Sequence, residues 1–324
     1  MHFSTQAPPP GPGCCNHARL ITTLSGHHGP IAALAFSPDR CLLASCDRDG
    51  PARIWAIASQ RPGERSVIRT PGERFQAVVF SPNSRTVALG SGTESGLVWV
   101  FDVSDRTPKE IALLRGAKGS VNALVFSADG KTIAGGGDDA TIRLWEPAPG
   151  GRGEPRALLL GHARPIRALA FAPDGRSLAS AAADTTVRVW TIHRIRCSER
   201  AVLPHPGEVT SLAFSPDGNS LMTACRDSII RIWDLTAIPP RVQSEWKDPT
   251  GARFVLLTSD GNILVSAGGG SRVVHWDFRT RRIMAEWQLP HAVEVVTLTH
   301  DGRYLASGEA DGSIELLRVA EKRT

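Results

Sequence analysis

The amino-acid sequence predicts an all-β chain, a seven-bladed β-propeller of four-stranded antiparallel blades closed by an N-terminal strand. Two recurrences and one pattern carry that expectation. The turn Phe-Ser-Pro-Asp recurs with its proline position at Pro38, Pro82, Ala128, Pro173, Pro216, Ser259 and His300, at steps of 44, 46, 45, 43, 43 and 41 residues. A second marker runs in register at Trp55, Phe101, Trp145, Trp190, Trp233, Trp276 and Leu317. Between the markers lie short apolar runs bounded by turn residues. Self-similarity at such a period marks a unit that buries its faces only against copies of itself. Length alone suggests two domains, but the repeats argue for one closed ring.

The fourth repeat shows the elements in order. Ile166 to Phe171 is an apolar run of strand length. Pro173-Asp174-Gly175 is a turn: proline presets φ, aspartate bonds back to the backbone, and glycine takes positive φ. Leu178 to Ala182 is a second strand of small residues. Asp184 opens another turn. Thr186 to Trp190 alternates apolar and polar residues at period two. A fourth strand follows a looser linker, around Arg200 to Leu203. Residues 19–319 hold the seven units. Residues 1–18 form a Pro/Gly-rich tail expected to be disordered, and 320–324 a short C-terminal tail.

Composition narrows the function classes. The net charge is +5, from 37 Lys+Arg and 32 Asp+Glu, and the charges are scattered. No basic stripe forms, which argues against nucleic acid. No run of 18 uncharged apolar residues occurs, so no membrane span is expected. The N-terminus lacks a secretory pattern, and a reducing cytoplasm is the expected location. The six cysteines form no Cys-x-x-Cys pair, which argues against zinc. Cys46 and Cys225 fall in strand patterns, and Cys14-Cys15 in the tail. No cofactor is expected.

Histidine, serine and aspartate recur at constant offsets from tryptophan. The sets are His27, Ser45, Asp49 and Trp55; His162, Ser180, Asp184 and Trp190; and His205, Thr223, Asp227 and Trp233. A Ser-His-Asp triad would explain one set. Three sets, each ending on a buried indole that needs an acceptor, point instead to a structural hydrogen-bond chain. The third repeat keeps Asp139 and Trp145 but has Ala117 and Gly135 at the other two places. Gly135-Gly136-Gly137 and Gly268-Gly269-Gly270 sit in strand patterns, where tight packing accounts for them better than phosphate binding.

The openings Gly26-His27 and Gly161-His162, the Ser-Pro-Asp-Gly turn, and the closings Trp233-Asp234 and Trp276-Asp277 resemble the WD40 repeat family. The resemblance covers residues 19 to 319 and is weakest in the seventh repeat, which has Leu317-Arg318. It implies that the tetrads are structural. It also implies that a sequence repeat carries the outer strand of one blade and three inner strands of the next. Arg19 to Leu24 is then the outer strand of the last blade, beside Ile314 to Val319. Partners of this family often contact three positions per blade around one channel mouth. Carried over, these are Arg48, Arg74, Gln76, Glu94, Ser120, Asn122, Asp138, Arg167, Glu208, Thr210, Arg226, Arg253 and Glu294. The resemblance thus implies a non-catalytic scaffold, a monomeric propeller within a larger complex. Its arginine-rich, mixed-charge mouth suits an acidic or phosphorylated protein segment. The alternatives are an enzyme using the channel mouth and, more weakly, a nucleic-acid binder. The solvated rim of a structural propeller is the plainest account of the same residues.

Overall fold

A computed structural model describes residues 19–148, 153–194 and 196–319. Both expected tails, the Cys14-Cys15 pair and part of the 146–156 connection lie outside these residues. The described chain forms 28 strands in seven four-stranded antiparallel sheets, and no helix is long and apolar enough to cross a membrane. Strands are numbered in chain order. The first blade runs outward from the channel as β2 (Ile31–Phe36), β3 (Leu42–Asp47), β4 (Ala52–Ala56) and β5 (Gly63–Ile68). The fourth is β14 (Ile166–Phe171), β15 (Ser177–Ala182), β16 (Thr186–Ile192) and β17 (Cys197–Pro204).

The period of the sequence has a local cause. In each Ser/Thr-x-Asp/Asn turn the hydroxyl donates to the acid or amide oxygen two residues on, as Ser37 does to Asp39 at 2.5 Å and Ser127 to Asp129 at 2.6 Å. The Ser37 oxygen then accepts the Leu42 N–H at 2.9 Å, which starts the next strand. The same hydroxyl bond holds Asp129, Asp217 and Asp260 below the usual carboxylate range. Six of the seven blades therefore turn from their first to their second strand on the same three-residue device, and the fourth has Ala172 in place of the hydroxyl.

The seventh blade closes the ring. β26 (Val293–Leu298), β27 (Tyr304–Glu309) and β28 (Ile314–Arg318) are its inner strands, and β1 (Arg19–Leu24) is its outer one. β1 pairs antiparallel with β28, from Arg19 opposite Arg318 to Leu24 opposite Ile314. This covers an edge that would otherwise present free backbone groups. Leu24 packs in one buried cluster with Ile314 and Leu316 of the last blade and Ile31, Leu43 and Trp55 of the first. The N-terminal strand thus reaches the core of the seam, and the first and last blades share it.

Leu24→Ala is expected to lower stability by about 2–5 kcal/mol, the usual cost of emptying a leucine site in a core. Deletion of residues 1–24 should lower the thermal midpoint further. A truncated chain that unfolds at the wild-type midpoint would show that closure does not depend on β1.

Candidate binding face

One face of the ring is built by β-bulges. In six blades the innermost strand shifts register after its first paired residue, as between Ile31 and Ala33 or between Ile166 and Ala168. The residue skipped by the ladder is Ala32, Gln76, Asn122, Arg167, Thr210 or Glu294. A bulge re-aims the side chain it leaves unpaired. Five of the six are therefore polar groups presented at the channel mouth. Arg253 stands at the corresponding place of the sixth blade, just before β22 (Phe254–Leu257), which has no bulge.

A single backbone bond brings a second ring of residues beside the first. The N–H groups of Arg48, Gly92, Asp138, Ala183 and Arg226 donate to the carbonyls of Pro30, Arg74, Ser120, Pro165 and Glu208. The side chains then bond across blades. Glu208 accepts from Arg167 of the preceding blade at 2.6 Å and lies 2.8 Å from Arg226 of its own. Arg48 reaches Glu294 across the seam at 3.4 Å, and Arg74 lies 3.7 Å from Asp49. Asn122 donates to Asp138 at 2.9 Å, and Thr210 donates to the Arg253 carbonyl at 2.6 Å. Four of the five arginines on this face thus already face a carboxylate of the protein.

Glu94 does not take the expected place. The loop between β7 (Thr86–Ser91) and β8 (Val98–Asp102) is two residues longer than its counterpart in the first blade, so Gly92 occupies the position and Glu94 sits exposed farther along the loop. A cluster that sequence reasoning missed anchors this loop: Ser91 donates to Glu73 at 2.6 Å, and Thr93 donates to it at 3.1 Å.

The tetrads lie under this face, and they differ from one another. In the fourth blade the chain is continuous. Trp190 Nε1–H donates to Ser180 Oγ at 2.8 Å, Ser180 donates to His162 Nε2 at 2.7 Å, and His162 Nδ1–H donates to Asp184 at 2.9 Å. Thr186 and the Ala163 N–H also donate to Asp184, at 2.7 and 2.9 Å. Burial works against the Asp184 charge, but these donors outweigh it and hold its pKa below the usual range.

In the first blade Ser45 joins Trp55 and His27 at 2.7 and 2.6 Å, but the carboxylate facing His27 is Asp47, 3.2 Å away, and not Asp49. The cause is Pro51. Where the fourth blade has a Thr186 N–H that fixes Asp184 inward, proline offers no donor, and Asp49 swings out toward Arg74. Gly50 leaves the space that Asp47 fills, since a Cβ there would lie 2.6 Å from Asp47 Oδ1.

In the fifth blade His205 bonds Thr223 at 2.9 Å, but its Nδ1–H donates to the Leu203 carbonyl at 3.0 Å instead of to Asp227. Arg231 takes Asp227 at 2.6 Å, and the buried Trp233 Nε1–H has no hydrogen-bond partner among the described residues. In the third blade Trp145 donates to the Arg115 carbonyl at 3.0 Å. A Cβ at Gly135 would lie 2.8 Å from that indole, so the missing serine cannot simply be restored.

The opposite mouth of the channel has another character. A cavity of about 680 Å³ there is lined by Phe36, Phe80, Phe126, Leu257 and Leu298 among others. No group of three or more His, Cys, Asp or Glu among the described residues is arranged to hold a metal ion.

The model of the family described as "WD domain, G-beta repeat" matches residues 18–56, 108–146, 153–191 and 197–234. The chain is 28% identical over 128 residues to transcription initiation factor TFIID subunit 5 of Caenorhabditis elegans, covering 40% of this chain and 19% of the relative. It is 34% identical over 84 residues to small ribosomal subunit protein RACK1 of Medicago sativa, covering 26% and 24%. It is 36% identical over 73 residues to the periodic tryptophan protein 2 homolog of Schizosaccharomyces pombe, covering 22% and 8%. The matched stretches span at most about a quarter of these relatives.

His162→Ala should cost about 1–3 kcal/mol by leaving the Ser180 hydroxyl without its acceptor and Asp184 without one of its donors, and Asp47→Ala should cost a similar amount while Asp49→Ala is nearly silent. Denaturant unfolding of the three variants decides this, and a larger effect at Asp49 would contradict the swap. Burial lowers the pKa values of His27 and His162, that of His205 to about 4 and that of His275 to about 3. A depressed histidine stabilises the fold above its unfolded value, near 6.5, and that stability is lost as pH falls toward the folded value. The thermal midpoint should therefore fall between pH 6.5 and 4. His205→Gln should flatten the fall, and an unchanged pH profile in that variant would contradict the assignment.

Proposed function

The chain belongs to the WD40 repeat family, and from that premise we propose that it is a non-catalytic scaffold whose bulge-built face holds a protein segment. The observation that carries the reading is the Arg167–Glu208–Arg226 cluster, where one half-buried carboxylate lies between two half-exposed guanidinium groups of adjacent blades. Such a cluster is held ready by the protein's own acid. A ligand with one carboxylate gains little by displacing Glu208. A phosphate brings a charge of roughly −1.5 to −2 and three acceptor oxygens, and arginine forks favour it. A phosphorylated segment is therefore the partner of choice, with Arg48, Arg74 and Arg253 available around the mouth and Gln76, Asn122 and Thr210 offering neutral bonds. Two relatives carry names of larger assemblies, a transcription initiation factor and a ribosomal subunit, which supports protein partners in general. The four described cysteines are free thiols, in keeping with a reducing compartment such as the cytoplasm.

Partners recovered by affinity purification supply the test peptides, each made with and without phosphate. Arg167→Ala and Arg226→Ala should weaken the phosphorylated form by about 1–3 kcal/mol, the range for a charged hydrogen bond, and leave the thermal midpoint nearly unchanged. Arg176→Ala, in the Pro173 turn of the opposite face, is the control. Loss of binding in the control alone would move the binding site to the other face.

A further inference from the structure

The closing blade carries two buried acids where the first blade carries an acid, a histidine and an arginine. Glu309 ends β27 as Asp47 ends β3, opposite Val293 and Ile31 respectively. Glu315 lies opposite Ser307 as Arg53 lies opposite Ser45. The place of His27 is held by Leu289, and that of Trp55 by Leu317. Asp47 thus has His27 beside it, whereas Glu309 has an apolar side chain there and a second acid where the arginine would be. Glu309 is 0% exposed and Glu315 5%. No well-formed hydrogen bond reaches either Glu309 oxygen among the described residues, although the Ser307 hydroxyl stands close enough to favour the ionised acid.

The charged groups around Glu309 are few. Glu315 faces it from β28, Asp311 lies in the connecting turn, and the exposed His291 precedes β26. Glu294 of β26 is turned to the mouth and pairs with Arg48. From the first blade, the loop before β2 brings the backbone carbonyls of His27 and Gly29 against Gly312, and these add no positive charge. One histidine at the surface is a weak counterion for two buried carboxylates.

β1 borders this pair on one side. Thr23, itself exposed, lies opposite Glu315 in the β1–β28 ladder, and Glu309 lies one strand farther in, so detachment of β1 opens the Glu315 flank of the sheet to water. We propose that the seventh blade is a proton-held latch, in which a proton on the Glu309–Glu315 pair keeps β1 docked and its loss loosens the closing strand. Two ions in one dry site cost more than one ion and one neutral acid. Opening at β1 hydrates Glu315 and so screens its charge from Glu309, and the open state is the one that ionisation favours.

Burial, then the Glu315 charge, raises Glu309 to about 7, with Asp311 adding to the rise and His291 and the Ser307 hydroxyl opposing it. Burial raises Glu315 as well. A raised carboxylate stabilises the closed form most at low pH, and that contribution is lost as pH rises through about 7. This is opposite in sign to the histidine effect of the inner tetrads, and it is localised to one blade.

Amide hydrogen exchange at pH 6 and pH 8, corrected for intrinsic rates, reads the latch on the full chain. Relative to the outer strand of the fourth blade, protection of Arg19–Leu24 should fall about tenfold between the two pH values, the change expected for one group titrating near 7. Glu309→Gln mimics the protonated acid and should abolish that fall. Glu315→Gln should reduce it and serves if the first variant does not fold. Protection of β1 that tracks the fourth blade at both pH values, or an undiminished fall in a folded glutamine variant, would overturn the proposal.

Discussion

The antiparallel pairing of β1 with β28 is the constraint on which the molecule rests. A blade buries its two faces only against its neighbours, so a ring is stable when every blade has two. The chain enters at Arg19 and returns at Arg318, and these residues face each other in one ladder. The same strand delivers Leu24 to a cluster shared by the first and last blades. Every sheet is in turn packed beside the next through its innermost strand, with β26 beside β2 across the seam. The Arg40–Asp301 and Arg48–Glu294 ion pairs and the packing of β2 on β26 also cross the seam, but β1 supplies its only backbone ladder among the described residues.

On that frame the polar groups divide by depth. Just under the face, tryptophan, serine, histidine and aspartate satisfy one another in the fourth blade, and each other blade departs from that chain in its own way. At the surface, the bulge of each innermost strand turns one side chain to the mouth at no cost to the ladder beyond one unpaired residue. Display and stability are thus carried by different residues. Arg167 can change while His162 holds the blade. The exception is the closing blade, where Glu309 and Glu315 place an uncompensated charge problem at the very seam that stability depends on.

The ring was legible in the sequence because it follows from spacing: the turn marker and the tryptophan marker repeat in register. Its closure by Arg19 to Leu24 and the face positions Gln76, Asn122, Arg167, Thr210 and Glu294 came from the resemblance to the WD40 repeat, and the bulges that carry those five side chains had no sequence signal. Offsets failed where local chemistry broke the repeat. Asp49 holds the right number but precedes Gly50-Pro51, and proline cannot supply the N–H that points an aspartate inward. Asp227 also holds the right number, but Arg231 four residues on takes its carboxylate. Glu94 was misplaced by two extra loop residues, visible only as a Trp99-x-Phe101 pair that admits either register. The buried acids escaped notice because Glu309 and Glu315 look like ordinary surface residues of a strand until Leu289 and Leu317 are seen in the places of the histidine and the tryptophan.

The most direct test of the central claim is a disulfide across the closing ladder, with Arg19→Cys and Arg318→Cys on a background lacking the exposed Cys41. The same protein, reduced, is its own control. Cross-linking the two ends should stabilise the fold by as much as about 5 kcal/mol, because it removes the entropy of a loop spanning nearly the whole chain. All seven blades should still unfold in one transition at a raised midpoint. An oxidised protein that unfolds at the midpoint of its reduced form would mean that closure at β1 does not limit stability, and would contradict this account.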